Sequence, residues 1–135
     1  MTTSLQDGTM VDKMAQFDLL KEMAESEQKK PWPSGLYART LFKKHDLRVV
    51  LISMQNDARM KEHHADGTIS IQVLKGQLRV SVNGKPHDLP TGTLFTLGAS
   101  IRHDVEAQGD SAFLLTISWP SGEELAAMKH RGYGS

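Results

Sequence analysis

The pattern of hydrophobic and polar positions along this chain changes period once, from helical near the start to strand-like thereafter. Over residues 10–24, Met10, Met14, Phe17, Leu20 and Met23, with Val11 and Ala24 beside them, recur at three- and four-residue spacing. That spacing predicts one face of an amphipathic helix, suited to docking on its own domain or on a second subunit. Asp7 or Thr9 is placed to cap its start, and the polar run 25–30 ends it before Pro31. Pro31-Trp32-Pro33-Ser34-Gly35 cannot continue a helix and reads as a stiff connector. From Tyr37 onward apolar residues follow the short period of strands.

Residues 39–43 form a short run, and residues 47–55 (LRVVLISMQ) a β-branched, largely apolar one, as expected of a buried strand. Asn56-Asp57-Ala58 turns the chain, and residues 59–63 lead into the stretch KEHHADGTISIQVLKGQLRV at 61–80. There a strand is predicted over 68–74, with a turn at Lys75-Gly76 into a second strand over 77–82. Asn83-Gly84 tolerates positive φ at both residues and predicts a tight hairpin to a return strand over 85–89. After Pro90-Thr91-Gly92 comes a strand over 93–97. Gly98-Ala99-Ser100 then leads to residues 101–103 and 105–107, and a turn at 108–110 is expected before the last long strand, 111–119. Residues 123–130 predict a C-terminal helix, with Ser121 as its cap. Many short strands between tight turns, with helices only at the ends, imply an all-β sandwich or barrel. The expected division is a helix and Pro-rich connector over 1–35, a barrel over 36–120, and a helix and tail over 121–135.

Composition narrows the function classes. A chain of 135 residues is one domain, large enough for a core that needs no staples. It has no cysteine, which excludes disulfides and thiolate metal sites and fits a cytoplasmic protein. Lys plus Arg equals Asp plus Glu at 16 each, with no basic run, so nucleic acid is not an expected partner. There is no cationic segment leading into an apolar core at the start, and no apolar run of the roughly 20 residues that a membrane span needs.

The candidate chemistry lies at Glu62, His63, His64 and His103. On a regular strand Glu62 and His64 face one way and His63 the other, unless a bulge reverses the alternation. His103 follows a turn in a distant hairpin. One carboxylate and two imidazoles from Glu62, His64 and His103 suit Fe, Mn, Ni, Co or Zn as a divalent ion with open positions for water or substrate. Glu62 or His63 is the candidate general base. The competing reading is that adjacent histidines near a loop are simply solvated. His45, His87 and His130, in KKHD, GKPHD and MKHRG, read as surface histidines.

Two motifs in the chain resemble those of the cupin superfamily, small double-stranded β-helix barrels of jelly-roll type. The first has the form G-x5-H-x-H-x(3,4)-E-x6-G. Its ending is present as Val73-Leu74-Lys75-Gly76; anchored on Gly76, the glutamate position falls on Ile69, the second histidine on His64 and the first on Glu62. A shift of one residue makes His63 the first ligand and puts Ala65 in the second place. The second motif appears as Gly84-x5-Pro90-x-Gly92, then Gly98-Ala99-Ser100 and His103, with Ala107 in place of its terminal asparagine. The resemblance covers residues 38–119 and is greatest to small single-domain cupins of the RmlC-like conserved-barrel type. It implies a barrel with a ligand-binding mouth but a reduced or altered metal shell, because isoleucine cannot bind an ion.

Three functions follow from that resemblance. A metal-dependent enzyme, of dioxygenase, isomerase or decarboxylase type, would act on a small molecule in the barrel mouth. A metal-independent binding or sensor module would hold a small molecule without turnover. An assembly protein would use the barrel as a scaffold. A homodimer is expected in each case, with the N-terminal helix and Trp-containing connector as interface elements.

Overall fold

The computed structural model describes residues 14–120, less the side chains of Glu62 and His63. Helix α1 spans Leu19–Glu27, and seven strands follow: β1 Leu36–Lys43, β2 Leu47–Met54, β3 Arg59–His63, β4 Thr68–Val82, β5 Lys85–Pro90, β6 Leu94–Leu97 and β7 His103–Ser118. All pairings are antiparallel. The path runs β1-β2-β7-β4-β5, with β3 added to β7 and β6 added to β4.

Two long strands organise this arrangement. β4 and β7 pair from Thr68↔Ser118 to Val82↔His103, with register shifts between Val73 and Gln77. The expected turns at Lys75-Gly76 and at 108–110 are therefore corrected: both are bends within one strand. Gly76 and Gly109 adopt positive φ there, at 74° and 87°. The bend divides each strand between two leaves. In one, the 68–75 part of β4 and the 111–118 part of β7 are flanked by β6 and β2, with β1 outermost. In the other, the remaining halves are flanked by β5 and β3. A glycine turn signal in the sequence does not distinguish a hairpin from a corner; long-range pairing decides it.

The inner faces of the leaves share one apolar core. Val50, Ile52, Met54, Ile69, Ile71, Val73, Phe113 and Ile117 come from the first, and Leu78, Val80, Leu89, Val105 and Ala107 from the second. Alternation explains most of this set, since β4 buries every second residue from Ile69 to Val73 and again at Leu78 and Val80. β2 is buried on both sides because α1 lies over its outer row, where Leu51 is fully buried and Ser53 nearly so. That accounts for its unbroken apolar run.

The N-terminal helix differs from its expected span. It begins at Leu19, capped by the Asp18 side chain, which accepts from the Lys21 amide at 3.1 Å. Residues 14–18 are not helical, and the expected start, capped by Asp7 or Thr9, lies outside the described residues. The apolar spacing continued upstream of the true cap. Trp32 fixes the helix to the barrel: it is 5% exposed, its indole Nε1 donates to the Ser26 carbonyl at 2.9 Å, and its ring stacks on Tyr37. The expected C-terminal helix over 123–130 lies outside the described residues.

Candidate functional site

β7 buries His103, Val105 and Ala107 in alternation, so His103 belongs to the inner row of the strand. It is 3% exposed and, among the described residues, is the one buried histidine. The turn that precedes it is built for this. Gly98-Ala99-Ser100 makes the turn, and the Ser100 amide donates to the Ala65 carbonyl at 2.7 Å, tying the turn to the segment after β3. The imidazole Nδ1 of His103 lies 3.0 Å from the Ile101 carbonyl oxygen. A carbonyl only accepts, so Nδ1 carries the proton and Nε2 carries the lone pair in the neutral ring. This is the arrangement by which a second partner orients a metal-binding or substrate-binding histidine. Sequence reasoning missed Ile101, because a main-chain partner leaves no trace in residue type.

β3 carries a bulge beside the candidate residues. Met60 pairs with Val105 and His63 with His103, so three residues on β3 span two on β7. A bulge at this place is the feature that would reverse a simple alternation of faces along the strand. The His63 backbone now stands directly opposite that of His103. His64 is exposed, whereas Ala65 packs on the core. Ile69, at the position of the motif's glutamate, is a core residue at 3% exposure. Among the described residues no group of three His, Cys, Asp or Glu side chains is placed to hold a metal ion. His45 is exposed on the β1–β2 turn, and His87 lies half-buried against Phe95, with ring centroids 5.8 Å apart.

The model of the AraC-like ligand binding domain matches residues 48–131, well over half of the chain. The protein belongs to this cupin-type family. Solved structures agree on the fold. A cupin 2 conserved barrel domain protein from Leptotrichia buccalis is 26% identical, with a TM-score of 0.63 over 70% of this chain and 46% of its own. An RmlC-like cupin from Shewanella frigidimarina is 24% identical, with a TM-score of 0.60 over 69% of this chain and 83% of its own. A cupin superfamily protein from Desulfitobacterium hafniense reaches 0.63 at 14% identity, covering 69% and 85%. No curated protein matches the sequence. The AraC-like barrel is thus a ligand-binding domain by family, and among the described residues no helix is long and apolar enough to cross a membrane.

Proposed function

We propose that this AraC-like barrel binds a small organic molecule at the end where β3 meets β7, with His103 as its polar anchor. The observation that carries the reading is the buried imidazole of His103, held by Ile101 at the rim of an otherwise apolar inner face. Burying a polar ring among aliphatic side chains is costly unless it is hydrogen-bonded, and the Ile101 carbonyl supplies such a bond to Nδ1. The family match to a ligand-binding domain supports the same reading. The test is a thermal-shift screen of small carboxylic acids, sugars and sugar acids. A ligand that raises the melting temperature of the wild type but not of His103→Ala supports the proposal; ligands that stabilise both equally argue against the anchor.

A second reading is favoured by the bulge in β3. His63 stands opposite His103 in the backbone register, which suits a divalent ion held by His103 with His63, Glu62 or His64. The donors described are too few by themselves, so this set needs Glu62 or His63, and Ile69 supplies nothing to it. Such an ion would act as a Lewis acid or bind oxygen, the chemistry of a dioxygenase or isomerase. Elemental analysis after exposure to Fe, Mn, Ni, Co and Zn salts tests it: metal retained by the wild type and lost in His103→Ala supports it, and none in either sample sinks it. A homodimer belongs to both readings, motivated by Met14, Phe17 and Leu20, which are 61%, 39% and 78% exposed, and is checked by sedimentation.

A further inference from the structure

Along β2, Arg48 shares its row with Val50, Ile52 and Met54, all core residues. Arg48 is thus the last member of an inner-facing row, placed where the first leaf opens at its end. Across β1–β2 its register partner is Lys43. Two cations directly opposite one another destabilise a strand pair, and none of the ion pairs among the described residues gives either of them a carboxylate. The Nε of Arg48 is buried and without a hydrogen-bond partner among those residues. A guanidinium edge withdrawn from water with no acceptor is unfavourable unless something fills the place.

The surroundings form a pocket. Among the described residues, Lys43, Lys44, His45, Arg48 and Trp119 line a wide, shallow depression of about 640 Å³. The Arg48 guanidinium lies 5.7 Å from the Trp119 ring centroid. The Trp119 amide donates to the Asp46 carbonyl at 2.9 Å, which closes the strand end against the β1–β2 turn. In a chain whose charges balance overall, this is a local concentration of positive charge beside an aromatic ring.

The pocket shares an end of the barrel with His103. Both lie away from the bends at Gly76 and Gly109, at the other ends of β4 and β7. Residues 64–67 connect His63 to Thr68, and Thr68 pairs with Ser118, next to Trp119. Gly67 lies against Ser118 and Trp119 so closely that a side chain there would meet both.

We propose that Lys43, Lys44, Arg48 and Trp119 form an oxyanion-binding rim at the barrel mouth, so that the ligand is a small organic anion with a phosphate or carboxylate group and a planar portion. The identity of the ligand as the barrel's own rests on the reading above; the anion site does not. A guanidinium fork matches the two oxygens of a carboxylate or phosphate, the Lys43 ammonium opposite it adds charge, and Trp119 offers a flat apolar wall.

The test titrates the full chain with phenyl phosphate, benzoate, inorganic phosphate and phenol, read by calorimetry and by tryptophan fluorescence. The expected result is saturable binding of phenyl phosphate or benzoate, no comparable binding of phenol, and a fluorescence response lost in Trp119→Phe. Arg48→Gln should weaken the anion by about tenfold or more, while Arg79→Gln, on the exposed β4–β5 pair, leaves it unchanged. If Arg48→Gln does not fold, the Lys43→Gln/Lys44→Gln double variant supplies the same comparison. Phenol binding as well as benzoate would overturn the proposal. Binding lost in Arg48→Gln but kept in His103→Ala would uphold the anion site and remove His103 as anchor. The reverse would leave the barrel-mouth reading and overturn this one.

Discussion

Ser111 is bonded to both main-chain groups of Gln77. Its Oγ accepts from the Gln77 amide at 3.1 Å and donates toward the Gln77 carbonyl at 3.0 Å, with the Gly109 carbonyl 2.9 Å away. The buried hydroxyl therefore joins the bend of β4 to the bend of β7. Ser111→Ala leaves a part-buried amide without its acceptor, and a loss of about 1–3 kcal/mol is expected from urea denaturation. An unchanged midpoint would mean that the corner does not depend on this hydroxyl.

Glycines with the same φ should separate by what surrounds them. Gly76 and Gly84 sit at φ of 74° and 76°, but a Cβ on Gly76 would meet Asp110 and Ser111, while Gly84 faces open space. Gly84→Ala should cost only the left-handed backbone penalty, about 1–2 kcal/mol. Gly76→Ala should cost clearly more, or prevent folding, as judged by thermal melting of the two variants side by side.

Trp32 is expected to hold α1 onto the barrel. Trp32→Ala removes a buried ring, its bond to Ser26 and its stacking on Tyr37, a loss of about 3–5 kcal/mol. Hydrogen exchange should show residues 19–27 losing protection before the strands do. Equal loss throughout would mean that helix and barrel unfold as one unit.

Acid should weaken the fold through two carboxylates. The Asn56 amide holds the Asp110 carboxyl below its ordinary range, helped by Lys30; the Arg79 side chain does the same for Asp88. A carboxylate whose folded pKa is depressed stabilises the fold above its unfolded pKa, about 3.9, and loses that contribution as pH falls through the folded value. Denaturation midpoints should therefore drop below about pH 4, and Asp110→Asn and Asp88→Asn should each flatten the decline. Slopes identical to the wild type would assign acid sensitivity elsewhere.

For the histidines, nitrogen-detected NMR at neutral pH should find the His103 ring protonated at Nδ1, as its contact with Ile101 requires. If a metal is bound, His103→Ala should abolish it, His63→Ala should lower it more than His64→Ala, and His87→Ala should leave it unchanged. Loss with His64→Ala alone would favour the unbulged grouping of Glu62 and His64.

Much of the barrel was legible because strand formation is read locally. The apolar run at 47–55, the Asn83-Gly84 hairpin and the Gly84-x5-Pro90-x-Gly92 spacing each met the element expected, since period and turn chemistry depend on neighbours in sequence. Among the described residues His103, one of the candidates, is the buried histidine, which the sequence alone did not state. The helix start was not legible, because Met14 and Phe17 keep helical spacing without helical backbone, and only the Asp18 cap decides the boundary.

By itself, then, the sequence determined an all-β barrel of cupin type, and it offered residues 62–64 and His103 as candidates for chemistry. Tertiary structure decided that Gly76 and Gly109 are corners, not turns, because one strand can serve both leaves only when partners distant in sequence pair along its whole length. It also decided that a bulge sets His63 opposite His103, and that Lys43, Arg48 and Trp119, scattered among unremarkable positions, meet at one end of the barrel. Cross-strand register brings those groups together, and register is a property of two segments that neither carries alone.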